Sequence, residues 1–228
     1  MGNFFHAILY EPILKLLIWI YETIAFNSFG LAVIFLTIGI QIILFPLFWK
    51  SAKHQAVMQK LQPKVKHIQE SLKHDKEKQA TELLSLYKEH KINPFGSVLL
   101  LFVQLPIIIA LYQVLLKEIS SGLFDNFIFL GLIDLRQKSL ILTLIATLLQ
   151  YIQGRLSLPK TQEAKGANPM ADMGKMMLYM GPIITLVILQ SLPAALGVYW
   201  ITSTIFTIGR QIIINKKMKE KELKVQTS

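Results

Sequence analysis

The sequence predicts an all-α polytopic membrane protein with five transmembrane helices, an N-terminal amphipathic interfacial helix and a cytoplasmic helical hairpin. Three observations carry this expectation. Hydrophobic residues make up 53% of the 228-residue chain and charged residues only 17%, with a mean hydropathy of +0.47. Soluble domains carry about 25% charged residues, spread along the chain. Five apolar segments reach or approach the roughly 20 helical residues needed to cross about 30 Å of hydrocarbon. The charges fall in blocks between those segments, and strongly basic blocks alternate with poor ones.

Residues 1–29 are expected to form an extracytoplasmic amphipathic helix. Glu11, Lys15 and Glu22 stand at i, i+4 and i+11, within one narrow helical sector, which suits a helix lying in the interface. A sixth span is the alternative, but residues 1–29 hold one Lys while residues 50–91 hold ten. A sixth span would put that poor segment inside. No basic leader precedes the apolar run and no small-residue cleavage site follows it, so no removable signal peptide is expected.

Transmembrane helix 1 is placed at 30–49, followed by a basic hairpin at 50–94. Val57, Leu61, Val65, Ile68 and Leu72 recur at helical spacing, and Ala80, Leu83, Leu84 and Tyr87 form a second stripe after the polar turn HDKEK. Pro63 is expected to kink or restart the first arm, and Asn93-Pro94 to cap and start the next span. Region 95–214 supplies four further spans, at 95–116, 139–158, 176–190 and 194–214. A basic tail occupies 215–228. Residues 117–138 hold three basic and three acidic residues, 155–175 four and two, and 210–224 six and two. That alternation places the N-terminus outside and the C-terminus in the cytoplasm.

Catalytic constellations are missing from the spans. The chain has no Cys, and its histidines (His6, His54, His67, His74 and His90) all fall outside the five segments, as do all Asp and Glu. Serine-histidine and paired-aspartate chemistry, proton-coupled transport and thiolate metal sites therefore lack their groups. GANPMADMGK lacks the spacing of a phosphate-cradling loop. Neither an enzyme, nor a cofactor, nor a metal is expected. What stands at depth is neutral and polar: Thr37, Gln41, Gln104, Gln150, Gln153, Tyr199 and Trp200. An unpartnered buried amide costs about 1 to 3 kcal/mol, so these groups should face one another or water. They serve either as interhelical glue, at about 0.6 kcal/mol per hydrogen bond, or as the wall of a hydrated cavity. A small channel or solute carrier is a further function that such residues could serve.

Three strings narrow these readings: LQPKVKHIQE at 61–70, LYKEHKINPFGSVLLLFVQLPIIIALYQVL at 86–115 and LPAALGVYWITSTIFTIGRQ at 192–211. They resemble the YidC/Oxa/Alb family of membrane protein insertases, in its minimal bacterial form, over essentially the whole chain. The resemblance implies five spans around a hydrophilic groove, open to the cytoplasm and to lipid and closed on the outer side, in a bacterial plasma membrane. It implies that nascent membrane protein clients are received from the ribosome and inserted, alone or with the Sec translocon, with no small-molecule substrate. Anionic lipids are expected partners of the basic hairpin and tail. By the same resemblance Gln41 stands where the family usually has an arginine, five residues before Pro46. Thr37, Gln104 in FVQLP, Gln153 in YIQGR, and Tyr199 and Trp200 in VYWITS are the other expected groove residues.

Overall fold

The computed structural model describes residues 5–90, 96–157 and 169–226, and the side chains of all these except 52–56, 59–60, 62, 96–104, 169–175, 177 and 218–226. A π-helical turn, His6–Tyr10, leads into α1, Glu11–Thr23. Pro12 lies in the first turn of α1, where a missing N–H is least costly. Then follow α2 (Phe29–Ser71), α3 (Lys76–Glu89) and α4 (Gly96–Glu118). An antiparallel pair comes next, β1 (Ile128–Phe129) and β2 (Ile133–Asp134), with Ile128 opposite Asp134. The chain ends with α5 (Leu140–Ser157), α6 (Pro169–Ser191) and α7 (Ala194–Gln226).

The outward faces of two helices are apolar, unlike the surface of a soluble protein. Ile141, Leu144, Ile145 and Leu148 of α5 face outward while Thr143 is buried, and on α6 Ile183, Ile184, Val187 and Ile188 face outward while Thr185 is buried. Apolar faces of this extent need an apolar solvent. Among the described residues, Phe29–Ser51 and Leu140–Ser157 are long and apolar enough to cross a membrane, with mean hydropathies of 2.5 and 1.3, and Leu178–Ser191 is a shorter apolar helix. The chain is an all-α membrane protein.

It divides into two compact units. One comprises Met1–Leu44 and Leu105–Ile213, the other Phe45–Gln104 and Ile214–Ser228. In the first, Ile13, Leu17, Ile20 and Tyr21 of α1 join a core with Phe29, Val33 and Leu36 of α2, Leu111, Val114 and Leu115 of α4, and Leu196 of α7. The charges Glu11, Lys15 and Glu22 remain on the exposed side of α1. Its amphipathic pattern therefore directs one face onto the protein.

The segment between α4 and α5 ties this core at one end. Phe124 and Phe127 pack against Phe29 with ring centroids 4.9 and 4.8 Å away, and the Tyr21 hydroxyl accepts hydrogen bonds from the N–H groups of Asp125 and Asn126 at 3.2 and 3.4 Å. Helix starts carry N–H groups without intrahelical partners. Here the segment supplies the acceptors: Asn126 takes the N–H of Phe29 at 3.0 Å, and Gln137 and Leu135 take those of Ala194 and Ala195 at 2.8 and 3.1 Å. The hairpin turns at Leu130 and Gly131, both with positive φ, of 54° and 72°. Arg136 donates a fork of hydrogen bonds to Asp134 at 2.9 to 3.2 Å, which holds that carboxyl below the usual carboxylate range.

In the second unit α3 is capped by Asp75, whose side chain accepts the N–H of Lys78 at 3.0 Å. Leu61 and Val65 of α2 and Leu86 of α3 are buried together, with Met58, Ile68, Leu83 and Tyr87 around them. Gln79 donates across to the carbonyl of Gln69 at 2.9 Å. The expected restart at Pro63 does not occur, and α2 runs through both Pro46 and Pro63. Packing at Leu61 and Val65 holds the turns on either side of Pro63, which offsets the lost bond. The Phe45 and Trp49 rings stack at 5.5 Å, and the Lys217 ammonium lies 5.0 Å from the Trp49 ring. The cap expected at Asn93-Pro94 lies outside the described residues.

Candidate functional site

Polar side chains of the first unit lie as stripes on four helices. Thr37 and Gln41 stand one turn apart on α2, and Thr143, Thr147 and Gln150 follow one face of α5. Thr185 lies on α6, and Trp200, Ser203, Thr204 and Thr207 share a face of α7. Side-chain contacts join these stripes. Gln41 donates through Nε2 to Ser203 Oγ at 2.7 Å, linking α2 to α7. Trp200 donates through Nε1 to Gln150 Oε1 at 3.4 Å, linking α7 to α5. Gly181 of α6 lies against the Gln150 amide, and Gly154 of α5 lies so near Leu178 of α6 that a methyl group there would crowd its side chain.

Burial is deep at the α2 stripe. Thr37 is 1% and Gln41 4% exposed. The Thr37 hydroxyl donates to the carbonyl of Val33 at 2.6 Å, one turn back along its own helix. Thr143, Thr147, Thr202, Thr204 and Thr207 do the same to Ser139, Thr143, Val198, Trp200 and Ser203, at 2.7 to 2.9 Å. A hydroxyl bonded in this way has spent its proton and keeps only acceptor capacity. Gln41 Oε1 is buried without a hydrogen-bond partner among the described residues. Pro46 lacks an N–H, so the carbonyl of Ile42 has no helical donor four residues on.

Of the expected groove residues, Thr37, Gln41 and Trp200 enter this seam. Tyr199 is buried and joins the hydrophobic core, while Gln153 is half-buried one turn beyond Gln150 on α5. Gln104 lies on α4, and its side chain is outside the described residues. Sequence reasoning did not single out Ser203, Thr185 or Thr143. The available signal was helical spacing: Ser203 follows Trp200 by three residues and therefore shares its face.

The sequence model of the family described as 60Kd inner membrane protein matches residues 19–222, nearly the whole chain. A membrane protein insertase YidC of Clostridium tetani is 37% identical over 197 residues, covering 85% of this chain and 84% of the relative. The chain belongs to the YidC/Oxa/Alb family. Other YidC insertases are longer: those of Syntrophus aciditrophicus and Wolinella succinogenes are 33% and 31% identical over 90% and 93% of this chain, which spans 36% and 38% of their lengths. The YidC/Oxa/Alb family match takes in α2, α5 and α6 whole and α7 as far as residue 222, and so includes every residue of the seam.

Proposed function

We propose that this chain is a membrane protein insertase and chaperone of the bacterial plasma membrane. Its clients are nascent membrane proteins arriving from the ribosome, alone or beside the Sec translocon. The observation that carries the reading is the 37% identity to a named insertase over 85% of the chain. The polar seam supplies its physical counterpart. A client segment with polar groups must lose water to cross hydrocarbon, at several kcal/mol per unsatisfied group. Hydration along Thr37, Gln41, Gln153 and Trp200 shortens the apolar distance, and the client's own apolar helix gains its transfer free energy on sliding into lipid. No bond is made or broken. In this reading α2 and α4 to α7 provide five spans with the N-terminus outside, and the basic α2–α3 hairpin meets ribosome and anionic lipid in the cytoplasm. The segment between α4 and α5 closes the outer end.

The absence of cysteine gives a direct test. A single cysteine at position 41 is expected to react with a membrane-impermeant thiol reagent from the cytoplasmic side only. Reaction from neither side would reduce the seam to interhelical packing. Reconstituted protein is further expected to insert a short single-span client without passing ions through empty liposomes, whereas ion flux would favour a channel.

A further inference from the structure

Two turns of the first unit combine a strained backbone with an exposed apolar tip. At the corner between α1 and α2, Phe26 and Asn27 have positive φ, of 50° and 54°, and at the β1–β2 turn Leu130 and Gly131 have φ of 54° and 72°. Such positions suit glycine and asparagine, and a bulky side chain is strained there. Each turn nevertheless fills its first such position with a large apolar residue and leaves it in the open. Phe26 is 87% exposed, Leu130 75%, and Leu132, next but one, 87%. Single exposed leucines are ordinary on a protein surface. Here packing within the protein offsets neither the backbone strain nor the apolar exposure.

Both tips belong to the end of the first unit where α2 begins. Phe29 at the start of α2 donates its N–H to the carbonyl of Asn126 at 3.0 Å, and Gly30 lies against the Phe129 ring, so corner and hairpin are fastened to each other. The apolar stretch Phe29–Ser51 has 23 residues. At the helical rise it is about 34 Å long, close to the roughly 30 Å of hydrocarbon it has to cross. Its start therefore lies at the hydrocarbon boundary, and the tips tied to it lie at headgroup level. Just past the hairpin, Leu140 and Ile141 open the outward apolar face of α5 and continue the same surface.

We propose that Phe26, Leu130 and Leu132 form a two-pronged anchor that enters the lipid interface at this end of the spans, the outer leaflet in the topology given above. Apolar side chains gain free energy on leaving water for the acyl-chain boundary, as the apolar face of an interfacial helix does, and that gain offsets the strain of the two turns. The segment that supplies acceptors to the starts of α2 and α7 is thereby held to the bilayer as well as to the core. The anchor rests on the chain being a membrane protein and is independent of what the chain inserts, so failure of the insertion assay leaves it untouched.

The test places a single cysteine carrying an environment-sensitive fluorophore at position 26, 130 or 132 of the otherwise Cys-free full-length protein, in lipid nanodiscs that leave both faces open to solvent. Lipids brominated high on their acyl chains and aqueous iodide are the two quenchers. Position 144, on the outward face of α5, is the lipid reference, and position 73, in the exposed turn after α2, is the aqueous one. All three tips are expected to lose fluorescence to brominated lipid, as position 144 does, and to be spared by iodide, which quenches position 73. Quenching by iodide alone would put the tips in water, and protection from both quenchers would put them under a second copy or another protein; either result overturns the anchor. Leu130→Asn separates anchoring from turn geometry, because asparagine tolerates positive φ while removing the apolar tip. It should leave thermal unfolding in detergent unchanged or raised, yet red-shift the label at 132 and increase its quenching by iodide. An unchanged spectrum at 132 would also overturn the proposal.

Discussion

Gly30 shows how narrowly one residue can be specified here. A methyl group built on it would overlap the ring of Phe129, whereas one on Gly39, nine residues along the same helix, would meet nothing within 4 Å. Gly30→Ala should therefore destabilise the protein by about 1 to 3 kcal/mol through overpacking. Gly39→Ala should be neutral or stabilising by up to about 1 kcal/mol, since it only relieves the entropy cost of helical glycine. Thermal unfolding in detergent measures both. At this scale the sequence was partly legible. Gln41 stood out because an amide in an oily run must find a partner, but that partner, Ser203, is 162 residues away. Helix register across such a distance is set by tertiary packing, which no local pattern encodes. The spent threonine protons were also hidden, because a hydroxyl can donate backwards or outwards with the same sequence.

Among the elements, α1 was readable from its three charges, and its attachment was not. The Tyr10 hydroxyl at its start donates to Oε1 of the buried Glu118 at 2.8 Å, and the Lys117 ammonium lies 4.8 Å from the Tyr10 ring. Burial first, and then the hydrogen bond to and negative charge of Glu118, push the Tyr10 hydroxyl from 10.0 up to about 12. The folded protein thus holds this proton more tightly than the unfolded chain. Its contribution to stability is full below pH 10 and is lost as pH rises through about 12. Melting temperatures between pH 8 and 11.5 should fall more steeply for wild type than for Tyr10→Phe, and equal slopes would remove Tyr10 from the account. The helices themselves followed from apolar length, although α2, α6 and α7 run well past the apolar segments that announced them, and among the described residues two helices are long and apolar enough to cross a membrane. The small β1–β2 hairpin escaped because its turn places Leu130 at positive φ, where glycine or asparagine would have announced it.

For the whole molecule, the two units differ in what holds them. The first has a broad core fed by α1, α2, α4 and α7, while among the described residues the second rests on a small cluster around Leu61, Val65 and Leu86. Local opening should therefore be easier in the second unit. Hydrogen exchange is expected to be faster in α3 than around Val33 and Leu36 of α2. Leu86→Ala should accelerate exchange in α3 and leave α1 unchanged, whereas uniform protection would argue for one cooperative block. The composition announced a membrane protein at this scale. Its partition into units was not legible, because three of the helices pass from one unit to the other without any break in pattern.

The back-bonded threonines of α7 also have a mechanical side. Thr202, Thr204 and Thr207 each direct a second hydrogen bond at a carbonyl that already serves the main chain, and they do so within two turns. Such bonds loosen a helix and favour bending. The helix that supplies Ser203 to Gln41 is thus compliant as well as polar, and under the proposed function it would bow aside and spring back as a client moves by. Thr204→Val, nearly equal in volume, should stiffen it and slow the insertion of bulky client helices more than that of slender ones.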